Sequence, residues 1–112
     1  MPEIPETEKI VRVLWEVKEE RWNQNARWGE QNHGPFAWLV ILMEEVGEAS
    51  AAALEGDGQQ FRKELVQAAA VVVAIIESFD RGNLFDTVSL TLLQKEVAFL
   101  RKRVAEMSAG QP

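Results

Sequence analysis

Three glutamates stand close together in one of the most apolar segments of the chain. The segment 41–49 reads ILMEEVGEA, so Glu44, Glu45 and Glu48 fall within five residues and are flanked by aliphatic side chains. Carboxylate oxygens are hard ligands of the kind that Mg²⁺ and Mn²⁺ prefer. A carboxylate beside a metal-bound water can also accept its proton. These acids are therefore the first candidates for chemistry in this sequence.

The spacing of the acids places them on one arc of a helix. At about 100° per residue, Glu45 lies about 100° and Glu48 about 40° from Glu44, opposite the main apolar stripe. A solvated face is one explanation. Ile41 and Ala52 fall inside the same arc, however, and a wet face is seldom so apolar. Enclosed carboxylates repel one another unless a cation compensates them, so the pattern is consistent equally with a metal site and with a solvated face.

A second pair of oxygen-bearing side chains follows in the segment KELVQ, residues 63–67. Glu64 and Gln67 are three residues apart and share one face of a helix. Glu64 can supply a fourth carboxylate, whereas Gln67 offers a neutral amide oxygen, which is a weaker ligand for a hard cation. The candidate metal ligands are Glu44, Glu45, Glu48, Glu64 and Gln67.

Four helices are predicted to carry these residues. Helical spacing of apolar residues begins at Thr7 and returns over Phe36–Leu54, about Gln59–Arg81 and Leu90–Met107. The last of these segments has the spacing of a bundle or coiled-coil seam. We predict an all-α fold, a four-helix bundle in a single domain over residues 1–112, with residues 1–6 and 108–112 flexible. Trp15, Trp22 and Trp38 are predicted to lie in the core or at a subunit interface.

Composition excludes several classes of function. The net charge of -6 leaves no basic surface for binding a long nucleic acid. The chain has no cysteine, which excludes disulfides and thiolate nucleophiles and fits a reducing compartment. No uninterrupted apolar run reaches the roughly 18 residues that span a bilayer. We expect a cytoplasmic protein without a membrane partner.

Two spaced acidic motifs resemble those of a known family. EEVGE at 44–48 is followed after fifteen residues by ELVQ at 64–67, which resembles the EExxE…ExxD signature of the MazG-like all-α nucleoside triphosphate pyrophosphatases. The resemblance extends to QNARWGEQNHG before the acidic helix and to IIESFDR at the end of the third helix, so it covers roughly residues 16–81. Gln67 departs from the general pattern, which has Asp there, although a subgroup carries Gln.

The resemblance implies a Mg²⁺-dependent hydrolase, with Mn²⁺ as a possible substitute. The expected reaction converts an NTP or dNTP to the monophosphate and pyrophosphate. Glu44, Glu45, Glu48 and Glu64 are implied as metal ligands, and we expect Glu45 or Glu48 to be catalytic, with Glu45 favoured as the base. The family also implies a homodimer or homotetramer with active sites built against the partner. The third helix, apolar on every side, independently requires such cover.

Further residues are candidates for binding the nucleotide. In the connection RWGEQNHG, Trp28 offers a stacking face, and the Gln31 and Asn32 amides can read the edge of a base. The alternative is that Trp28 closes one end of the bundle. The candidates for binding phosphate charge are Arg62, Lys63 and Arg81, and for each of them a solvated surface charge is the alternative.

Two other classes of function stay open at this point. One is a nucleotide-binding or regulatory module without turnover, for which Gln67 is the main argument. The other is a structural helical protein that dimerises through its fourth helix, which would leave the enclosed acids unexplained. Release of monophosphate and pyrophosphate from a panel of nucleotides would distinguish the enzyme from both.

Overall fold

The described residues of the chain form four helices. The computed structural model describes residues 6–82, 84, 85 and 90–109. Its helices are α1 (Glu6–Trp28), α2 (Pro35–Glu55), α3 (Gly58–Asp80) and α4 (Leu90–Ala109). The described residues include no strand, so the predicted all-α class is confirmed. Residues 1–5 and 110–112, most of the segments predicted to be flexible, lie outside the described part of the chain.

The connection between α1 and α2 is shorter than predicted. The Asn, Gly and Pro residues of NARWGEQNHGP, residues 25–35, predict a connection that begins at Asn25, but α1 continues to Trp28 and leaves only residues 29–34 as the link. Gly29 ends the helix with φ at 70°, and its N–H donates to Asn25 O at 2.7 Å. Asparagine inside a helix costs only about 0.7 kcal/mol, so Asn25 does not end α1. Glycine adopts the left-handed conformation without steric cost, so Gly29 can end it. The helix therefore stops at the glycine.

The turn between α2 and α3 sets the register of the two acidic motifs. Gly56 caps α2 with φ at 73°, and the Asp57 side chain accepts from Gln60 N–H at 3.0 Å to start α3. Glu48 precedes Gly56 by eight residues and Glu64 follows it by eight. In an antiparallel hairpin, residues at equal distance from the turn lie opposite each other. The turn therefore brings the carboxylates of α2 toward those of α3.

The four helices pack against one another in pairs and do not surround a shared core. Helix α3 lies between α1 and α2, while α4 contacts no helix other than α2 among the described residues. Alanines line the buried side of the α2–α3 contact, and Trp38, which is 3% exposed, anchors a small cluster with Val71, Ala74 and Leu84. The radius of gyration is 16.8 Å, against about 13 Å for a compact chain of this length. The helices of one chain do not close around a common core.

Large apolar side chains remain exposed on all four helices, and those of α1 and α3 form one extended apolar region. Leu14 and Trp22 on α1 are 60% and 71% exposed, and Trp15 is also exposed. Ile76 and Phe79 extend the apolar surface onto α3. Trp38 is thus in the core as predicted, whereas Trp15 and Trp22 are not buried within the chain. Nowhere in the described ranges does a helix combine the length and apolarity needed to cross a membrane.

A single carboxylate fastens α4 to the start of α2. Helix α2 has no side-chain cap of its own, because its N-cap residue is Gly34. Glu96 of α4 supplies one instead, since Phe36 N–H and Ala37 N–H donate to its Oε1 at 2.8 and 3.1 Å. The negative carboxylate also interacts favourably with the helix dipole. A Cβ at position 34 would lie 2.6 Å from Glu96 Cδ, so the cap requires glycine there.

We expect Gly34→Ala to displace Glu96 and to lower the free energy of unfolding by about 0.5–2 kcal/mol, the usual value of a helix cap. Urea denaturation measures this change. Gly47→Ala on α2 is the control, because its new Cβ would meet nothing within 4 Å. That control should stabilise the protein by up to about 1 kcal/mol. If Gly34→Ala and Glu96→Ala together cost the sum of their single effects, the two residues do not share one cap.

Candidate metal site and adjoining cavity

Carboxylates from two helices converge beside the α2–α3 turn. One oxygen from each of Glu45, Glu48 and Glu64 lies within 4.8 Å of the other two. Glu64 is only 6% exposed, Glu45 is half-buried and Glu48 is exposed. The alternative of a solvated face on α2 does not explain why Glu64, an acid of α3, is buried beside these acids. The donor set consists of oxygen alone and suits a hard divalent cation, so this group could bind a metal ion.

Crowding of these acids changes their titration. Burial, a hydrogen bond with Glu64 and the neighbouring negative charges raise the pKa of Glu45 to about 7. The pKa of Glu48 is raised as well, first by its hydrogen bond with Glu64 and then by desolvation. Both shifts mean that the ionised forms lack a compensating positive charge. Within the described residues, no lysine or arginine forms an ion pair with the three acids.

Glu44, the remaining predicted carboxylate ligand, has a different partner. Arg103 Nε lies 2.9 Å from Glu44 Oε1. Nε is nevertheless buried without a hydrogen-bond partner, because its N–H is not aligned with the carboxylate. The contact is therefore an ion pair without an aligned hydrogen bond. The structure therefore brings three predicted acids together and places Glu44 against an arginine of α4.

Amide side chains surround Glu64. Gln60 Nε2 donates to Glu64 Oε1 at 2.5 Å. The Gln67 side-chain amide lies against the acids, and with its nitrogen turned toward them it would donate to Glu64 Oε2 at 2.9 Å and to Glu45 Oε2 at 3.1 Å. The opposite orientation would place its oxygen against acceptors only. In this arrangement Gln67 holds two acids in place, and its predicted role as a metal ligand would require the amide to rotate.

A cavity of about 430 Å³ adjoins the acids. Its wall includes Glu44 and Glu45, and all four helices contribute to it. The indole N–H of Trp38, which also lines the cavity, is buried and finds no acceptor among the described residues. Such an unpaired donor is costly and favours a ligand that carries an acceptor. Other residues of the wall are Arg21, Trp28, Gln31, His33, Phe99 and Arg103.

Two of the predicted base-recognition residues line this cavity, and the third helps to hold the connection. Trp28 and Gln31 are part of the cavity wall. Arg81 Nη2 donates to Gln31 O at 3.2 Å and to Asn32 Oδ1 at 3.1 Å, and Arg81 Nε lies 3.3 Å from Glu30 Oε1. Arg81 therefore positions the link between α1 and α2 in this structure. A direct role of Arg81 or Asn32 toward substrate stays a prediction.

The other two predicted phosphate-binding residues lie in a separate groove between α1 and α3. Arg62 pairs with Glu16 through contacts of 2.6 and 3.0 Å, and Lys63 lines the same groove. Neither residue is part of the cavity wall. The cations that do line it are Arg21, which pairs with Glu77 at 3.0 and 3.1 Å, and Arg103. Sequence reasoning missed both, because neither lies in a motif and only the packing of α1 and α4 brings them here.

No family model matches the chain, and no curated protein or solved structure matches it either.

We expect the metal-free protein to lose stability as the pH rises from about 4.5 through about 7. The pKa of Glu45 is about 7 in the fold and 4.5 ordinarily, so the folded state retains a proton that the unfolded chain releases. The resulting stabilisation is complete below pH 4.5 and is lost as the pH passes the folded pKa. Melting temperatures in EDTA at several pH values measure the loss, and millimolar Mg²⁺ or Mn²⁺ should reverse it.

Glu45→Gln should reduce this pH dependence, because it removes the group whose pKa is raised to about 7. Glu55→Gln is the matched control, since Glu55 is an exposed acid near the end of the same helix. A melting temperature indifferent to pH and to both metal ions would mean that the acids form a solvated face.

Proposed function

We propose that the protein is a Mg²⁺-dependent nucleoside triphosphate pyrophosphohydrolase of the MazG-like type. The observation that carries the proposal is a triad of acids from two helices, short of positive charge, beside a cavity lined by Trp28 and Gln31. The cavity volume of about 430 Å³ falls within the range of small-molecule sites. The substrate is an NTP or dNTP, and the products are its monophosphate and pyrophosphate.

Each part of the site has a proposed role. Glu44, Glu45, Glu48 and Glu64 would hold the ion, which supplies charge neutralisation and a lowered pKa of bound water. Glu45 is the proposed base, because a carboxylate beside a metal-bound water can accept its proton. Gln67 would keep Glu64 and Glu45 in position through its amide nitrogen.

The cavity is the proposed site of the nucleoside. Trp28 would stack on the base, and Gln31 would contact its edge. The Trp38 indole, which also lines the cavity, would pack against the nucleoside. His33 packs edge-on against Trp38 with ring centroids 4.9 Å apart and so helps to fix the orientation of that indole.

The proposed enzyme is a homodimer or homotetramer. The support is the apolar surface on α1 and α3, together with helices that do not close around one core. Burial of such surface stabilises an assembly by roughly 25 cal/mol per Å². Light scattering at micromolar concentration should give two or four times the 12.6 kDa of one chain. A mass of 12.6 kDa under these conditions would contradict this expectation.

A nucleotide panel tests the activity itself. The protein is incubated with NTPs and dNTPs and Mg²⁺ or Mn²⁺, and release of monophosphate and pyrophosphate is followed. We expect Glu48→Gln to lower turnover by about 100-fold or more, because it removes a proposed ligand of an ion whose charge stabilisation is worth several kcal/mol. Glutamine preserves the helix. Glu55→Gln, the same change at an exposed position of α2, should retain wild-type turnover.

The panel also separates the proposal from its closest alternative. A regulatory module would bind a nucleotide without releasing pyrophosphate. The orientation of the Gln67 amide favours this alternative in one respect, because the residue offers the acids a hydrogen-bond donor and not a further anionic ligand. If the wild-type protein binds a nucleotide but releases no pyrophosphate with either metal ion, the protein is a regulatory module and not an enzyme.

A further inference from the structure

Arg103 pairs with Glu44 and lines the cavity. Among the described residues it is the one cation paired with a proposed metal ligand, since its Nε lies 2.9 Å from Glu44 Oε1. Its guanidinium also lies over the Phe99 ring, 4.9 Å from the centroid, and lines the cavity. The Nε donor is buried and makes no aligned hydrogen bond. Arg103 is therefore placed at the acids while much of its donor capacity is unused.

Helix α4 fixes the position of this arginine. Glu96 precedes Arg103 by seven residues, about two helical turns, so both side chains lie on the same face of α4. Glu96 caps α2 at its start, and Arg103 meets Glu44 further along the same helix. The other nearby acid, Glu106, is 3.7 Å from Arg103 Nη1. The cap thus holds the guanidinium beside the acids.

A metal ion and a guanidinium compete for the same carboxylate. If Glu44 binds a divalent cation, its charge is taken up and the ion repels Arg103 at close range. A triphosphate brings negative oxygens to the same side of the cavity. The guanidinium is planar, always charged and matched to phosphate geometry, so it can form aligned bonds there that it does not form with Glu44.

We propose that Arg103 exchanges partners during substrate binding. In the metal-free protein it neutralises Glu44, and in the metal-bound protein it releases Glu44 and binds a phosphate of the substrate. This inference rests on the proposed function. It implies that Arg103 opposes metal binding when phosphate is absent and supports binding when metal and triphosphate arrive together. The two ligands are then positively coupled through one side chain.

The test measures two affinities in Arg103→Gln and in a matched control. Arg101→Gln removes the same charge from an exposed position of the same helix. The first measurement is Mn²⁺ binding without phosphate, followed by electron paramagnetic resonance of the free ion. We expect Arg103→Gln to bind Mn²⁺ about 2- to 5-fold more tightly than Arg101→Gln, the scale of losing a competing ion pair.

The second measurement is binding of the preformed Mn²⁺–tripolyphosphate complex by calorimetry, which needs no knowledge of the preferred base. We expect Arg103→Gln to weaken it by about 10-fold or more relative to Arg101→Gln, the scale of losing hydrogen bonds to a charged group. Arg103→Lys should restore part of this affinity, because it keeps the charge but loses the planar fork. Circular dichroism confirms that each variant keeps its helices.

The opposite signs of the two effects support the exchange. If Mn²⁺ binds and the two glutamine variants behave alike, the inference fails while the metal site stands. If Arg103→Gln weakens both affinities, the arginine only positions α4, and the exchange is overturned. If wild-type protein binds no Mn²⁺ at millimolar concentration, the proposed metal site fails and the exchange fails with it.

Discussion

The structure depends on carboxylates that two helices bring together without a positive charge between them. Glu45, Glu48 and Glu64 each present an oxygen within 4.8 Å of the others, and Glu64 is almost completely buried. Ionising all three in this environment is unfavourable, which is why the pKa values of Glu45 and Glu48 are raised. Hydrogen bonds from Gln60 and Gln67 hold the group in place but cannot neutralise it. Three carboxylates arranged in this way could bind a metal ion.

The other two helices pack against the α2–α3 hairpin, and they do not contact each other in the described residues. Helix α1 covers α3, and α4 reaches the site through a few contacts with α2 and the preceding link. Each of the four helices contributes residues to the wall of the cavity beside the acids, although these helices do not close around one core. Small changes in how α4 docks, such as loss of the Glu96 cap, should alter the cavity more than the acids, which the α2–α3 turn positions independently.

Aromatic and cationic groups make the cavity different from an ordinary gap between helices. Trp38 leaves an indole N–H without an acceptor in the described part of the chain, and His33 packs between its ring and that of Phe99. Burial lowers the pKa of His33, so its neutral form is favoured and the cavity gains little positive charge from it. The charge that can meet an anion comes instead from Arg21 and Arg103, which are already paired with Glu77 and Glu44. Anion binding at this site would thus involve exchange of ion-pair partners.

The sequence by itself determined the helices and the acidic arc. Apolar periodicity predicts four helices, and the spacing of Glu44, Glu45 and Glu48 places them on one arc of the second helix. Local rules suffice for these features because they act over one helix or one turn. Only the tertiary structure decided that Glu44 faces Arg103, that Arg62 pairs with Glu16 away from the cavity, and that Gln67 donates to the acids. These contacts join residues distant in sequence or depend on the orientation of an amide, and no periodic pattern encodes which of several like side chains meets a given partner.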